Sequence, residues 1–261
     1  MNIRYFYTLL FLVTTLLFSC QSKYDGENAA SQNNAHDYPP AAGFDLDSSD
    51  AEAILIADEV MIAQGGYQNW KATRYLSWTF LNGRKLLWDK WEGDVRIENP
   101  IDTTIILVNV QDSTGKVMKN GIPIKDVDQK RNYLDQGITI WINDSYWLVM
   151  PFKLKDSGVT LKYMEEDTTI TGRLSDVIQL TFKDVGVTPE HKYLVYVDKE
   201  THLVNQWDYF TSVDRPTPVF STPWLDYQKY GNIMLSGNRG KAGLTDIAVL
   251  DKVSRSRFSS F

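Results

Sequence analysis

The chain has one cysteine and three histidines among its 261 residues. Because a single thiol cannot close an intramolecular disulfide, the disulfide-stapled scaffolds common among small exported domains are excluded. The histidines are far apart and have no cysteine at ligand spacing, and the acidic stretch 45–50 lacks the glycine and distal glutamate of a calcium loop. We therefore expect no metal site. The residues concerned are Cys20, His36, His191 and His202.

The sequence also lacks the short motifs of common cofactor and nucleotide sites. It contains no nucleophile-elbow serine motif, phosphate-binding loop or dinucleotide fingerprint, so we predict no cofactor. The formal net charge is −6 and the basic residues are dispersed, which argues against a nucleic-acid partner. Beyond residue 19, no apolar run approaches the roughly 20 residues that a membrane-spanning helix needs.

Residues 1–19 are typical of a secretory signal peptide. Arg4 precedes an apolar run over 6–18 that is too short to span a bilayer. The following "LFSC" resembles the lipobox of bacterial lipoproteins, in which the cysteine thiol receives a diacylglycerol and the signal is removed. We therefore predict that Cys20 is lipidated and that this lipid anchor attaches the protein to a membrane.

Residues 20–48 are predicted to comprise the lipidated cysteine and a flexible tether. The segment is rich in Asn, Ser, Ala, Asp and Pro and has no hydrophobic periodicity, so it cannot bury enough apolar surface to order itself. The residue after Cys20 is Gln21 and not an aspartate. In this respect the sequence resembles lipoproteins that are sent to an outer membrane. We expect an outer-membrane lipoprotein of the cell envelope, on the periplasmic face or the cell surface.

Residues 49–261 are enough for one well-buried domain. Ser49 and Glu52 have the spacing of a capping box, which predicts a helix over 50–64. Since this helix is apolar over more than half of its girth, we expect it to be deeply buried. A second short helix is predicted around 67–72.

The stretch "RYLSWTFLNGRKLLWDKWEGDVRI" at 74–97 predicts a β-hairpin. A three-residue loop with Gly83 in the left-handed conformation pairs Trp78 with Leu86. A two-residue Asn-Gly turn would mix apolar and polar residues on each face, so the longer loop is favoured. The longer loop gives one apolar face, made of Leu76, Trp78, Phe80, Leu86 and Trp88.

Further alternating segments, separated by turn residues at short intervals, predict an antiparallel meander. Between them, a long helix capped by Asp126 is predicted to end before Pro151. One amphipathic set of strands with helices in two places predicts an α+β fold, in which a curved antiparallel β-sheet wraps over a few α-helices as an incomplete barrel.

An early helix, a Trp-rich first hairpin, a middle helix running into "YWLVMPF" and a string of meander strands together resemble the LolA/LolB-type lipoprotein carriers. The pattern "GG…W…W.F…WDKWEGD.RIE" is more similar still to a family of Bacteroidetes lipoproteins. The resemblance covers about residues 50–261. It implies a LolA-like half-barrel with a helical lid around an apolar cavity that holds acyl chains.

The apolar face of the hairpin could line such a cavity or could be ordinary core. Large aromatic residues are mostly buried for packing, but in a half-barrel the cavity wall and the core belong to the same sheet face. Trp70, Trp141 and Trp147 adjoin helices and are predicted to be core. The ligand-cavity candidates are Leu76, Trp78, Phe80, Leu86 and Trp88.

The predicted function is to hold a lipid, an acyl chain or a lipoprotein between sheet and helices, without catalysis. Two alternatives stay open, namely an envelope interaction module with a filled core and an enzyme whose carboxylates gather from distant strands. Asp89, Glu92 and Asp94 are close in sequence and could act as acid and base. Because Asp89 falls on the polar face of the hairpin, we expect these three residues to form a solvated edge.

Overall fold

A computed structural model of the protein describes residues 38–81, 83–186 and 188–261. The predicted signal peptide, Cys20 and His36 lie outside these residues, as does most of the predicted tether. None of the helices in the described part of the chain combines the length and the apolar character that a membrane crossing requires.

The described residues form four α-helices and fourteen β-strands. The helices are α1 (Ala51–Ala63), α2 (Tyr67–Ala72), α3 (Val127–Val149) and α4 (Ser256–Ser259), and a 3₁₀ turn (Met150–Lys153) follows α3. The strands are β1 (Tyr75–Phe80), β2 (Arg84–Asp89), β3 (Asp94–Asn99), β4 (Thr104–Asn109), β5 (Gly115–Lys119), β6 (Ile122–Pro123), β7 (Val159–Thr168), β8 (Leu174–Phe182), β9 (Lys192–Asp198), β10 (Val204–Phe210), β11 (Phe220–Pro223), β12 (Gln228–Tyr230), β13 (Ile233–Leu235) and β14 (Thr245–Leu250).

The strands form two open antiparallel sheets and one short hairpin. The first sheet has the order β14-β1-β2-β3-β4-β5-β6, the second has the order β11-β10-β9-β8-β7, and β12 pairs with β13. The α+β class and the open antiparallel architecture are therefore confirmed. The strands divide between two sheets because α3 interrupts the meander after β6, and β14 returns to pair with β1.

The first hairpin has the predicted register. Trp78 pairs with Leu86, and Leu76 pairs with Trp88. Gly83 has a φ of +85° and its N–H donates to the carbonyl oxygen of Phe80 at 2.8 Å. A left-handed glycine at this position lets the loop close without the steric cost that a side chain would add.

Helix α3 packs closely on the first sheet. Its N-terminus is capped as predicted, because the Asp126 carboxylate accepts a hydrogen bond from the backbone N–H of Gln129 at 2.8 Å. At Gly137 a Cβ would lie 2.8 Å from Cγ2 of Ile106 on β4, so glycine permits this approach. The helix ends before Pro151, which is buried in the 3₁₀ turn.

Helix α1 packs on the second sheet with one face only. Ala53, Ala57 and Val60 are buried in the core beneath that sheet. Leu55 and Ile62 on the opposite face are 61% and 53% exposed. The prediction of deep burial is therefore wrong, because the hydrophobic composition of the helix exceeds the area that the sheet covers.

The predicted capping box at the start of α1 does not form. Asp50 is the N-cap residue, but its side chain makes no bond to the helix N-terminus. Instead, its carboxylate accepts hydrogen bonds from the Lys162 ammonium at 2.9 Å and from the backbone N–H of Tyr163 at 3.0 Å. Contact with β7 thus outcompetes the local cap.

The last part of the predicted tether belongs to the folded domain. Tyr38 is buried and donates from its hydroxyl to the carbonyl oxygen of Phe152 at 3.1 Å. Phe44 is buried in the core beneath the second sheet. The boundary predicted at residue 49 is therefore too late, because these two aromatic side chains bury enough apolar surface to order the polar segment around them.

Candidate functional site

A cavity of about 830 Å³ lies between the second half of α3 and the second sheet. Its wall is predominantly apolar. It is completed by residues at both ends of β2, by the end of the 3₁₀ turn and the residues after it, and by the loop that precedes β9. Concave, mainly apolar sites of roughly 300–1,000 Å³ are typical of small-molecule binding. This cavity is the candidate functional site.

Cross-strand pairing aligns aromatic rings on the sheet side of the cavity. Tyr209 on β10 lies opposite Tyr193 on β9 and opposite Phe220 on β11. The centroid of the Tyr209 ring is 5.5 Å from that of Tyr193 and 5.0 Å from that of Phe220. Trp207, two residues along β10, points to the same face because side chains of a strand alternate.

Helix α3 supplies the opposite wall. Asn143, Tyr146 and Trp147 lie on one face, since residues three and four apart are neighbours on a helix surface. The Trp147 ring meets Trp207 edge-on with centroids 5.0 Å apart. The Tyr146 ring is nearly parallel to that of Trp207, at 5.8 Å. These contacts join helix and sheet at the base of the cavity.

An ion pair closes the α3 side of the wall. Nε of Arg84 lies 2.7 Å from Oδ2 of Asp144, and Nη2 lies 2.8 Å from Oδ1. Asp144 is fully buried, and this burial raises the pKa of its carboxyl group above the ordinary value despite hydrogen bonds from Arg84 and Asn143. The guanidinium also lies 5.3 Å from the centroid of the Phe80 ring.

More polar groups lie where the wall meets solvent. Lys153 and Asp156 form an ion pair in which both side chains are more than a third exposed. His191 and the Tyr209 hydroxyl are 3.0 Å apart in a hydrogen bond. Partial burial lowers the pKa of His191, which favours its neutral form. The cavity is thus apolar inside and polar at its rim.

The five predicted cavity residues lie in two different places. Trp88 is on the cavity wall, where its ring meets Trp141 edge-on at 5.3 Å. The other four do not line this cavity, because side chains from α3, the 3₁₀ turn and β13 fill the core over their face of the first sheet. They are Leu76, Trp78, Phe80 and Leu86.

Sequence reasoning missed most of the wall. Trp70, Trp141 and Trp147 all pack against the core between the first sheet and α3, as predicted. Trp141 and Trp147 also border the cavity, which the sequence did not indicate. The aromatic alternation of "WDYF" at 207–210 was the available indication on the sheet side. Which face of β10 meets open space, however, depends on where α3 lies.

A second cavity, of about 530 Å³, lies on the other side of the first sheet, beneath the C-terminal segment. Trp78 and Leu86 border it, although both residues are almost completely buried. Its wall includes Lys85, Arg96 and Glu98, so it is too polar for an apolar guest.

The three carboxylates near the first hairpin do not form a catalytic pair. Asp89 is completely buried, which corrects the expectation of a solvated edge, and it binds Arg74 through both oxygens at 2.8–3.1 Å. Its Oδ1 also accepts from the backbone N–H groups of Trp91 and Glu92. Asp89 therefore organises the turn after β2. The described residues include no cluster of acidic, histidine or cysteine side chains able to hold a metal ion.

No protein-family model matches the sequence, and no curated protein matches it significantly. A DUF1329 family protein from Desulfovibrio piger has a similar structure, with a TM-score of 0.43 and 12% identity over 79% of this chain and 97% of that chain. A LolA superfamily protein from Nitrosomonas europaea has a TM-score of 0.41 and 10% identity over 80% of this chain and 97% of that chain. Similarity at this level says nothing about ligand or activity.

Proposed function

We propose that this protein binds an apolar ligand, namely a lipid, an acyl chain or an acylated protein, in the cavity between α3 and the second sheet, without catalysing a reaction. The observation that carries this proposal is the predominantly apolar, aromatic wall around about 830 Å³. Burial of apolar ligand surface at about 25 cal/mol per Å² suffices for affinity without specific polar contacts.

The charges on the wall support binding rather than acid–base chemistry. Asp144 and Asp156, the two carboxylates that border the cavity, are each paired with a basic residue, Arg84 and Lys153 respectively. A general acid and base would need carboxylates that are free to exchange protons with a substrate. An interaction module with a filled core would not need an open apolar cavity.

The proposal includes membrane attachment through a lipid on Cys20. The lipobox-like "LFSC" and the polar segment that follows it support an anchored domain of the cell envelope, with residues 1–19 as signal peptide. The anchor would hold the domain near a source of acyl chains. Mass spectrometry of the protein isolated from its native envelope tests this part, because an unmodified Cys20 would contradict it.

Ligand binding is tested on the chain from residue 21 onward. Both hydrophobic cores and the whole cavity wall lie within residues 38–261, so this chain contains the folded domain. After gentle purification, native mass spectrometry should show a co-purifying lipid, and N-phenyl-1-naphthylamine should gain fluorescence on binding. If no lipid co-purifies and the dye gains no fluorescence, the carrier proposal is wrong.

A further inference from the structure

The C-terminal segment, residues 251–261, lies against the outer face of the first sheet. Arg96 on β3 points to this face, because the side chains of a strand alternate and both of its neighbours are in the core. Arg96 is buried, and its Nη1 donates to the carbonyl oxygens of Arg257 and Ser260 at 3.1 and 2.8 Å. These bonds hold the segment in place as one wall of the second cavity, whose volume is about 530 Å³.

Basic side chains are in excess around this second cavity. Four basic side chains and two carboxylates border it, which leaves an excess of two positive charges, whereas the whole chain has a formal net charge of −6. A concave site with charge of one sign attracts ligands of the opposite sign. The charged side chains on the wall are Lys85, Arg96, Lys252, Arg257, Glu98 and Asp246.

The two carboxylates on the wall have other partners. Glu98 forms an ion pair with Nε of Arg96 at 2.5 Å. Asp246 accepts a hydrogen bond from the Thr79 hydroxyl at 2.8 Å. Neither carboxylate therefore neutralises the remaining basic side chains of the cavity.

The three remaining basic residues, Lys85, Lys252 and Arg257, are exposed, and none of their side chains forms an ion pair among the residues that the structure describes. Like charges around one cavity repel one another, so a bound anion would lower the free energy of this arrangement. A phosphate monoester carries a charge of about −1.5 to −2 at neutral pH and has three strong acceptor oxygens. It matches the excess of two positive charges better than a carboxylate does, because a carboxylate carries only one negative charge.

Apolar side chains complete the wall of the second cavity. They belong mainly to Leu87, Leu250 and Val253. A volume of about 530 Å³ is larger than a phosphate group alone requires, so the cavity has room for an organic group beside the phosphate. The mixed wall therefore fits an organic phosphate better than an inorganic phosphate ion.

We infer that the second cavity binds a small phosphate ester. The phosphate group is held by Lys85, Lys252 and Arg257, and the organic group contacts the apolar side chains. A soluble phosphate ester and the head group of an anionic lipid share this chemistry, and the experiment separates these two sources. Because this site lies outside the apolar cavity, the inference does not rest on the proposed function.

The first experiment is calorimetric titration of the chain from residue 21 onward, at low ionic strength, with three ligands of the same carbon skeleton. They are glycerol 3-phosphate, glycerate and glycerol. Glycerol 3-phosphate should bind, glycerate should bind at least about threefold more weakly, and glycerol should give no signal. Binding of glycerol 3-phosphate should weaken as salt is added, because the three cations are exposed and are screened by salt.

Charge variants test whether the ligand lies in this cavity. Lys85→Gln and Lys252→Gln should each weaken glycerol 3-phosphate by about two- to fivefold. Asp246→Asn removes a negative charge from the wall and should strengthen binding by a similar factor, and asparagine tolerates the φ of +51° at this position. The matched control is Lys229→Gln, which changes an exposed lysine outside the wall and should leave the affinity unchanged.

Sedimentation with vesicles separates the two sources of the phosphate. The vesicles contain either equal parts of phosphatidic acid and phosphatidylcholine or phosphatidylcholine alone. Sedimentation with the acidic vesicles only, reduced by Lys252→Gln and unchanged by Lys229→Gln, supports the inference with a lipid head group as the ligand. Binding of glycerol 3-phosphate without sedimentation supports it with a soluble ester as the ligand.

Three outcomes would overturn the inference. The first is that neither glycerol 3-phosphate nor the acidic vesicles bind, and the second is that glycerate binds as tightly as glycerol 3-phosphate. The third is an equal effect of Lys252→Gln and Lys229→Gln. Each of these results leaves the proposed function intact, because binding of N-phenyl-1-naphthylamine in the apolar cavity is measured separately.

Discussion

The inner faces of the two sheets have similar residues and different surroundings. In the first sheet, Trp78 and Phe80 are buried in a filled core to which α3 contributes, and this helix approaches β4 closely at Gly137. In the second sheet, Tyr209 and Phe220 border a cavity, and Phe220 also stacks on Trp147 of the same helix with ring centroids 6.1 Å apart. An aromatic sheet face is therefore core or binding wall according to how closely a helix covers it, and composition alone does not distinguish the two.

The pKa values of two buried aspartates also depend on their surroundings. Asp144 accepts from Arg84 and Asn143, and burial, its largest influence, raises its pKa. Asp198, at the end of β9, is also buried, but it accepts from Arg173 and from the backbone N–H groups of Glu200 and Thr201. These hydrogen bonds together outweigh burial and hold the pKa of Asp198 far below its ordinary value.

The largest loss of stability should come from a substitution on the buried face of the first sheet. Trp78→Ala leaves a void in the first core and should lower the free energy of unfolding by about 3–5 kcal/mol, measured by urea denaturation. Thr79→Ala, whose side chain points away from that core, is the matched control and should cost less than about 1 kcal/mol. A loss below about 1.5 kcal/mol for Trp78→Ala would show that this face is loosely packed and remove the contrast between the sheets.

A smaller, pH-dependent effect should follow at the cavity wall. Arg84→Met leaves Asp144 buried without its counter-ion and should cost about 3 kcal/mol at neutral pH. A folded-state pKa above the unfolded value means that protonation stabilises the fold. This stabilisation is complete below the unfolded pKa and is lost as pH rises through the folded pKa.

The loss of stability in Arg84→Met should therefore shrink as the pH falls from neutral toward the acid range, when unfolding is measured across pH. The double variant with Asp144→Asn removes the titrating group and should abolish the pH dependence of the difference. A loss that is constant with pH in Arg84→Met would contradict a buried, titrating Asp144.

The smallest loss of stability should come from a substitution on the face of the second sheet that borders the cavity. Phe220 is 39% exposed on the edge strand β11, so Phe220→Ala should cost less than about 1 kcal/mol of unfolding free energy. Because Phe220 borders the cavity, the affinity for N-phenyl-1-naphthylamine should fall by about fivefold. Val219→Ala, which changes an exposed neighbour outside the wall, should leave the affinity unchanged. Unaltered dye binding in Phe220→Ala would place the binding site elsewhere.

Local patterns were sufficient for the local structure. The hairpin register followed from the alternation around Gly83, and the start of α3 followed from Asp126, because each depends on residues within a few positions. The capping box at Ser49 failed where a distant strand offered Asp50 better partners. The exposed Leu55 shows the same limit, since burial of a helix face requires a partner that its own sequence does not specify.

The sequence by itself determined the fold class, the register of the first hairpin and the abundance of aromatic rings, because alternation and turn chemistry act over a few residues. Only the tertiary structure decided that α3 packs closely on the first sheet at Gly137 and meets the second sheet through the rings of Tyr146 and Trp147. That choice depends on long-range packing between α3 and two separate sheets, and it places the cavity beside Tyr146, Trp147 and Trp207 rather than beneath the hairpin.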